Sequence, residues 1–152
     1  MLVLAEFKCD REISIIKDLV ENELSEPYTI FTYRYFTNTF PSLTFFCKDD
    51  EKYVGVIVCK IDFHKEEHLR GYIGMVAVDE KYRKQGIGTK LVTRAVEMMK
   101  MKGAKEVVLE TEADNLAAIS FYERLGFIKE KVLKMYYLNG SDAYRLKLLL
   151  TE

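Results

Sequence analysis

The sequence lacks the features that mark several large classes of protein. It has no tryptophan and only two prolines, and its three cysteines are widely spaced and include no Cys-x-x-Cys pair. Such cysteines are typical of reduced, mostly buried thiols rather than of a disulfide framework. No apolar run approaches the roughly 18 residues of a membrane span, and the first residues lack the basic flank of a signal peptide. We therefore expect a cytoplasmic protein that has no membrane partner.

Charge of one sign is also not in excess. The chain has 152 residues, of which 23 are Lys or Arg and 24 are Asp or Glu, so its formal net charge is −1. This balance provides no surplus of cations for phosphate backbones, and we expect no direct nucleic-acid partner. The run Tyr33-Arg34-Tyr35-Phe36 could stack bases, but the N-terminal third of the chain, in which it lies, is rich in Asp and Glu. The length predicts a single domain, residues 1–152.

Hydrophobic periodicity predicts strands and helices that alternate along the chain. Helices are predicted at 11–24, 29–38, 87–102 and 116–125. Strands are predicted at 2–8, 43–47, 53–61, 71–78, 106–109, 127–132 and 143–150. Residues 63–69 are expected to form a charged loop, and Asn139-Gly140 is expected to turn the last hairpin. The pattern favours the α/β (α+β) class with a mixed central sheet flanked by helices.

The most informative local pattern is a glycine-containing loop, residues 83–88, between a predicted strand and a predicted helix. Glycines allow backbone N–H groups at a helix start to approach a phosphate, where the helix dipole favours negative charge. Five basic residues and no acidic one occur from Lys81 to Arg94. The loop matches neither the NTPase P-loop nor the dinucleotide fingerprint. It indicates a pyrophosphate site, although a glycine turn with solvated basic side chains fits the same letters.

Two motifs in this region resemble the acetyl-CoA signature of the GNAT acetyltransferase superfamily. Val76-Ala77-Val78 precedes Arg83-Lys84-Gln85-Gly86-Ile87-Gly88, which has the form Arg/Gln-x-x-Gly-x-Gly/Ala, and Asn115, Phe121-Tyr122 and Leu125-Gly126-Phe127 follow at the usual distance. The resemblance implies a GNAT fold, acetyl-CoA as cofactor and acyl transfer to an amine. The cofactor-binding residues that it implies are Val76, Ala77, Val78, Arg83, Lys84, Gln85, Gly86, Ile87, Gly88, Thr89, Asn115 and Tyr122.

Longer stretches are similar to protein N-terminal acetyltransferases, in particular the catalytic subunit of the N-terminal acetyltransferase C (NatC) complex. They comprise 24–28, 33–36, 70–75, 107–112 and 136–146, and the family usually has a tryptophan where Leu149 stands. This resemblance implies nascent chains beginning with Met and a large apolar residue as substrates. It also implies auxiliary subunits and ribosome association. The substrate-binding residues that it implies are Glu26, Pro27, Tyr28, Tyr72, Met75, Glu112, Tyr136 and Tyr137.

The chemistry requires a neutral amine. An α-amino group has a pKa of about 7.7–8.0, so a weak base suffices. The resemblance and the residue types make Glu110 the candidate base, acting through a water, and Tyr122 the candidate acid for the leaving thiolate. Glu112 shares a face with Glu110 on a regular strand and is a candidate for orienting the substrate ammonium. We expect direct transfer in a ternary complex.

Three alternatives stay open at this point. His64-x-x-Glu67-His68 matches an inverted zinc-peptidase pattern, but those ligands need a helix and the segment is expected to be a loop, so we expect no metal. A GNAT enzyme could instead act on lysine or on a small-molecule amine. A catalytically silent acetyl-CoA-binding subunit is the alternative from outside the enzymes.

Overall fold

The computed structural model describes residues 1–21, 23 and 28–150. Seven strands form one sheet in the order β1-β2-β3-β4-β5-β7-β6, and every neighbouring pair is antiparallel except β4 and β5. The mixed sheet flanked by helices is confirmed. The elements are β1 Leu2–Glu6, α1 Ile13–Glu21, α2 Ile30–Thr39, β2 Thr44–Asp49, β3 Lys52–His64, β4 His68–Val78, α3 Ile87–Met101, β5 Glu106–Glu112, α4 Leu116–Arg124, β6 Ile128–Leu133 and β7 Ala143–Leu149.

Helices cover both faces of the sheet, and each face has its own apolar cluster. On one face, α3 and α4 place residues such as Leu91, Met99 and Tyr122 against the sheet. On the other face, α1 and α2 bury residues such as Ile16 and Phe36. Burial of a large apolar side chain contributes roughly 1.5–3 kcal/mol, so the two clusters hold the helices firmly in place. Because helices cover both faces, a ligand can reach the interior of the sheet only where two neighbouring strands separate.

The sheet opens between β4 and β5. Their parallel pairing covers only the three pairs from Arg70↔Glu106 to Tyr72↔Val108, after which β4 continues along β3 and β5 continues along β7. Gly74 is an extra residue in β4, since Val58 pairs with Met75 and Cys59 with Ile73. Such a bulge bends its strand. A cleft lies beside this bend, and its walls include the unpaired edges of β4 and β5.

The Gly74 bulge requires a glycine for a steric reason. A Cβ at this position would lie 2.8 Å from the Cζ atom of Phe36 in α2. Real Cβ atoms essentially never approach another heavy atom so closely. The absence of a side chain thus lets α2 pack directly on the bulged strand beside the cleft.

The structure corrects one predicted loop and lengthens several predicted strands. Residues 63–69 are not a loop, because β3 reaches His64, β4 begins at His68, and only residues 65–67 turn. Alternating charged residues resemble a loop in sequence, but here they pair across an antiparallel hairpin, with Arg70 opposite Asp62. Strand β5 runs to Glu112 and so includes both candidate carboxylates. Within the described residues, no helix is long and apolar enough to cross a membrane.

Candidate active site

The cleft between β4 and β5 has a volume of about 300 Å³ and gathers most of the predicted substrate residues. Its lining comes from β4, β5, α4, the β6–β7 connection and the segment before α2. Glu26 and Pro27 lie outside the described residues. The other six predicted substrate residues line it: Tyr28, Tyr72, Met75, Glu112, Tyr136 and Tyr137. Aromatic rings and a thioether thus surround a small number of carboxylates.

The carboxylate of Glu110 is part of the cleft lining, and three donors form hydrogen bonds to it. Tyr72 Oη donates to Oε1 over 2.6 Å, Tyr136 Oη donates to Oε1 over 3.3 Å, and Arg145 Nε donates to Oε2 over 3.0 Å. The Glu110 side chain is only 4% exposed. A carboxylate with a charged donor and two hydroxyl donors is stabilised as an anion. One of its four lone-pair sites is left for a further donor.

Arg145 is a site residue that the sequence reasoning did not assign. It lies on β7 directly opposite Glu110 on β5, so both side chains project from the same face of the sheet. The two residues are 35 positions apart in sequence, and strand pairing brings them together. Only knowledge that β7 pairs with β5 would have identified this partner.

The tyrosines beside Glu110 retain their protons over a wide pH range. Burial and the Glu110 carboxylate raise the pKa of Tyr72 well above its ordinary value of 10.0. Burial also raises the pKa of Tyr136, and the same carboxylate adds to the shift. Both hydroxyls therefore stay hydrogen-bond donors to the anion at neutral pH.

The opposite wall of the cleft, toward α3 and α4, carries a different set of groups. Tyr122 is buried edge-on against Phe121 and Phe127, and burial raises its pKa above the ordinary value, so its hydroxyl is protonated at neutral pH. Asn115 accepts a hydrogen bond from the Ala118 N–H over 3.2 Å and caps α4, as its sequence position predicts. Asn115 also lines the cleft.

The glycine loop has the properties that a pyrophosphate requires. Gly86 adopts a left-handed φ of +76° at the start of α3, and no side chain caps the helix there. A Cβ at Gly88 would lie 3.2 Å from the Phe121 ring, so a side chain here would require that ring to shift by a few tenths of an ångström. Ile87 is buried beneath the loop and anchors it, while Lys84, Gln85 and Thr89 are exposed around it. The exposed, uncapped end of a 15-residue helix fits an anionic group.

The remaining predicted cofactor residues do not all line the cleft. Val76 lines the cleft, whereas Ala77 is buried in the cluster beneath α1 and α2, and Val78 packs on the α3 side. Arg83 forms an ion pair with Glu23, which follows α1 and also lines the cleft. The Arg83 guanidinium of the glycine loop is thus paired with the Glu23 carboxylate of the cleft lining.

The His64 and His68 side chains lie apart from this site. Their rings face each other across the β3–β4 hairpin with centroids 5.6 Å apart, and His68 Nε2 lies 3.2 Å from Glu106 Oε2. Across the described part of the chain, no group of three or more His, Cys, Asp or Glu side chains could hold a metal ion. His68 and Arg70 of the hairpin both contact the Glu106 carboxylate on β5 instead.

Comparison with known proteins agrees with this geometry. The acetyltransferase (GNAT) family model matches residues 13–127. The chain is 51% identical to N-alpha-acetyltransferase 30 of Schizosaccharomyces pombe over 130 residues, which is 86% of this chain and 87% of the relative. It is also 51% identical to N-alpha-acetyltransferase 30 of Homo sapiens over 95% of this chain, but it spans only 40% of that longer protein.

A solved structure described as the NatC complex bound to Gag peptide and CoA contains a chain with the same architecture. The TM-score is 0.94 at 43% sequence identity, and the match covers 99% of both chains. The family uses acetyl-CoA, and the glycine loop and cleft of this chain have the groups to hold it. The chain therefore belongs to the GNAT acetyltransferase family, as an acetyl-CoA-dependent enzyme related to the N-alpha-acetyltransferases.

Proposed function

We propose that this protein acetylates the free α-amine of protein chains that begin with Met followed by a large apolar residue such as Leu, Ile or Phe. The observation that carries the proposal is the buried Glu110 carboxylate, held by Tyr72, Tyr136 and Arg145 in the wall of an aromatic cleft. An anion at this depth attracts an ammonium group, and the surrounding rings favour an apolar chain next to it. The similarity to N-alpha-acetyltransferase 30 supports acetylation of an α-amine.

The size and composition of the cleft support recognition of an apolar N-terminus. A volume of about 300 Å³ is at the small end of ligand sites, which suits one or two side chains rather than a folded surface. Tyr28, Met75 and Tyr137 offer apolar area, and tyrosine hydroxyls can bond a peptide backbone. Glu112 lies on the same face of β5 as Glu110 and lines the cleft, and we assign it the role of orienting the incoming ammonium.

Proton removal needs only a weak base in this arrangement. Roughly one α-amine in ten is already neutral at pH 7, whereas fewer than about one lysine side chain in a thousand is. Glu110 takes the proton through a water, using the lone-pair site that its three donors leave free. A second cavity of about 310 Å³, lined by Lys60, Asp62 and Arg70 among others, reaches the same carboxylate. We propose that this cavity gives water and the released proton a path to and from Glu110.

The cofactor wall has the complementary groups. Acetyl-CoA supplies the acetyl group as a thioester. We assign its pyrophosphate to the N–H groups of Gly86 to Gly88 and to Arg83, and its pantetheine arm to the free edge of β4 at Val76. Tyr122 is protonated at neutral pH and would act as the acid that gives a proton to the leaving thiolate, regaining one from solvent. Because Glu110 and Tyr122 both line the cleft, a base for the amine and an acid for the thiolate would be available together, which would suit direct transfer.

We further propose auxiliary subunits, ribosome association and a cytoplasmic location. The solved NatC chain to which this one is similar belongs to a complex. The outer face of α2 exposes Ile30, Phe31 and Tyr35 close to the cleft. An exposed apolar group of this kind is commonly covered by a partner protein. Co-purification of the tagged chain from its native cells, followed by mass spectrometry, tests the partners.

A CoA-release assay on the purified chain tests the proposed reaction. The peptides begin with Met-Leu, Met-Ile, Ser-Glu or Met-Asp, and one more peptide carries lysine behind a blocked N-terminus. Turnover is expected only for Met-Leu and Met-Ile. It should be lost in Glu110→Gln and kept in Glu97→Gln, which changes an exposed carboxylate on α3.

Two other outcomes of this assay have clear meanings. Turnover confined to the blocked lysine peptide would overturn the proposal in favour of a lysine acetyltransferase. Acetyl-CoA binding without turnover of any peptide, alone or with co-purified partners, would favour a silent binding subunit.

A further inference from the structure

Two buried hydroxyls have no hydrogen-bond partner within the described part of the chain. They are Thr44 Oγ1 in β2 and Thr111 Oγ1 in β5. Thr44 is fully buried, and Thr111 is 7% exposed. Buried polar groups in folded proteins are almost always hydrogen-bonded, so each exception needs an explanation. A ligand that completes the bond is one such explanation.

The two hydroxyls differ in their location. Thr44 is buried at the start of β2 and is not part of the cleft, whereas Thr111 lines the cleft together with Tyr122 and Asn115. Alternation along β5 places Thr111 on the same face as Leu109, opposite to Glu110 and Glu112. Thr111 therefore belongs to the wall that faces α4, which is the wall assigned to the cofactor.

We propose that the Thr111 hydroxyl hydrogen-bonds an amide group of the pantetheine arm of acetyl-CoA. This arm contains two amides, and each has a donor and an acceptor that lose water when the arm enters a narrow cleft. The free edge of β4 offers backbone partners on one side, and a hydroxyl that can donate or accept lies on the other.

The burial of Thr111 makes this contact effective. Its hydroxyl has almost no accessible surface in the ligand-free fold, so the contact requires the Thr111 side chain to rotate toward the cleft, and no water has to be removed from the hydroxyl. The ligand then gains the hydrogen bond without that part of the desolvation cost. The inference rests on the use of acetyl-CoA by the family and is independent of the proposed peptide specificity.

Isothermal titration calorimetry with acetyl-CoA, in the absence of peptide, tests whether the Thr111 hydroxyl contacts the pantetheine arm. Thr111→Val has nearly the same shape and lacks the hydroxyl, and the Kd for acetyl-CoA should rise about three- to tenfold. Thr111→Ser keeps the hydroxyl and should bind nearly as the wild type does. The nucleotide fragment 3′,5′-ADP lacks the pantetheine arm, and its Kd should be the same in all three proteins.

Thr44→Val is the matched control, because it removes the other unpaired hydroxyl outside the cleft. Its acetyl-CoA affinity should equal that of the wild type, and both valine variants should melt at or above the wild-type temperature when free of ligand. If Thr111→Val does not fold, Thr111→Ser and Thr111→Ala give the same comparison, since they differ only in the hydroxyl.

Wild-type affinity in the variants that lack the Thr111 hydroxyl would overturn the inference. An equal loss of affinity for 3′,5′-ADP would also overturn it, because the effect would then not come from the pantetheine arm. Since no peptide is present, failure of the proposed peptide specificity would leave this result unchanged.

Discussion

Removal of Arg145 should destabilise the fold because it leaves the Glu110 carboxylate buried without its cationic partner. The carboxylate side chain is 4% exposed and the arginine 20%. Loss of one partner of a fully buried ion pair costs about 3–5 kcal/mol. Glu110 would retain Tyr72 and Tyr136 as donors, so we expect Arg145→Met to cost about 2–3 kcal/mol. For a chain of this length the melting temperature should fall by roughly 4–12 °C.

A double-mutant cycle followed by urea denaturation measures this effect. Glu110→Gln removes the charge, so the double variant should be more stable than the sum of the single changes by at least about 1 kcal/mol. Lys134→Met provides the control, because Lys134 is 80% exposed and its ion pair with Asp142 should contribute less than about 1 kcal/mol. A loss below about 0.5 kcal/mol for Arg145→Met, with no coupling, would refute the reasoning that Arg145 holds a buried anion.

Three other predictions concern the loop, the bulge and the pH dependence. Glu23→Gln should release Arg83 and lower the Kd for CoA, which contains the pyrophosphate, by about two- to fivefold in calorimetry, as expected for a partly exposed ion pair. Gly74→Ala should lower the free energy of unfolding by about 1–3 kcal/mol in urea, because the added Cβ would lie 2.8 Å from the Phe36 ring. In a pH profile, kcat/KM should rise toward pH 8 as the α-amine loses its proton. On the alkaline side, kcat/KM should show no decrease until the pH exceeds 10. Burial and the neighbouring carboxylate raise the pKa of Tyr72, so its proton is lost only at higher pH.

The loop and bulge predictions each have a control variant, and the pH prediction has an outcome that would contradict it. Glu21→Gln breaks the exposed ion pair between Glu21 and Lys17 and should leave nucleotide affinity unchanged. Phe36→Leu in the Gly74→Ala background should recover part of the lost stability if the clash is the cause. A fall in kcat/KM between pH 8.5 and 9.5 would contradict the role given to the tyrosine hydroxyls.

Elements with strong local signals were predictable from the sequence. The apolar stripe of α3 and the glycine after it predicted a helix over 87–102, and the structure has Ile87–Met101 followed by Gly103 at a φ of +100°. Asn115 was predicted to cap a helix, and its side chain accepts a backbone N–H as expected. Both features depend on residues within a few positions of one another, so a single sequence is sufficient to identify them.

Features that depend on strand pairing were not predictable in this way. The charged strand ends at residues 63–69 resembled a loop because their partners lie on the opposite strand. Arg145 and Thr111 were not assigned, since nothing local indicates that β7 pairs with β5 or that the Thr111 hydroxyl has no partner. The resemblance indicated which residue types would meet, and the pairing of strands distant in sequence determines which side chains do meet.

The position of β7 between β5 and β6 has a consequence for synthesis of the chain. Strand β6 is made before β7, yet its only strand partner in the described sheet is β7. During translation β6 therefore has no sheet edge to join until residues 143–149 have left the ribosome. Arg145 is within that last segment, so Glu110 gains its counter-ion only when this insertion takes place. A stalled nascent chain that ends before residue 143 should bind no substrate amine, although most of its sheet has already been synthesised.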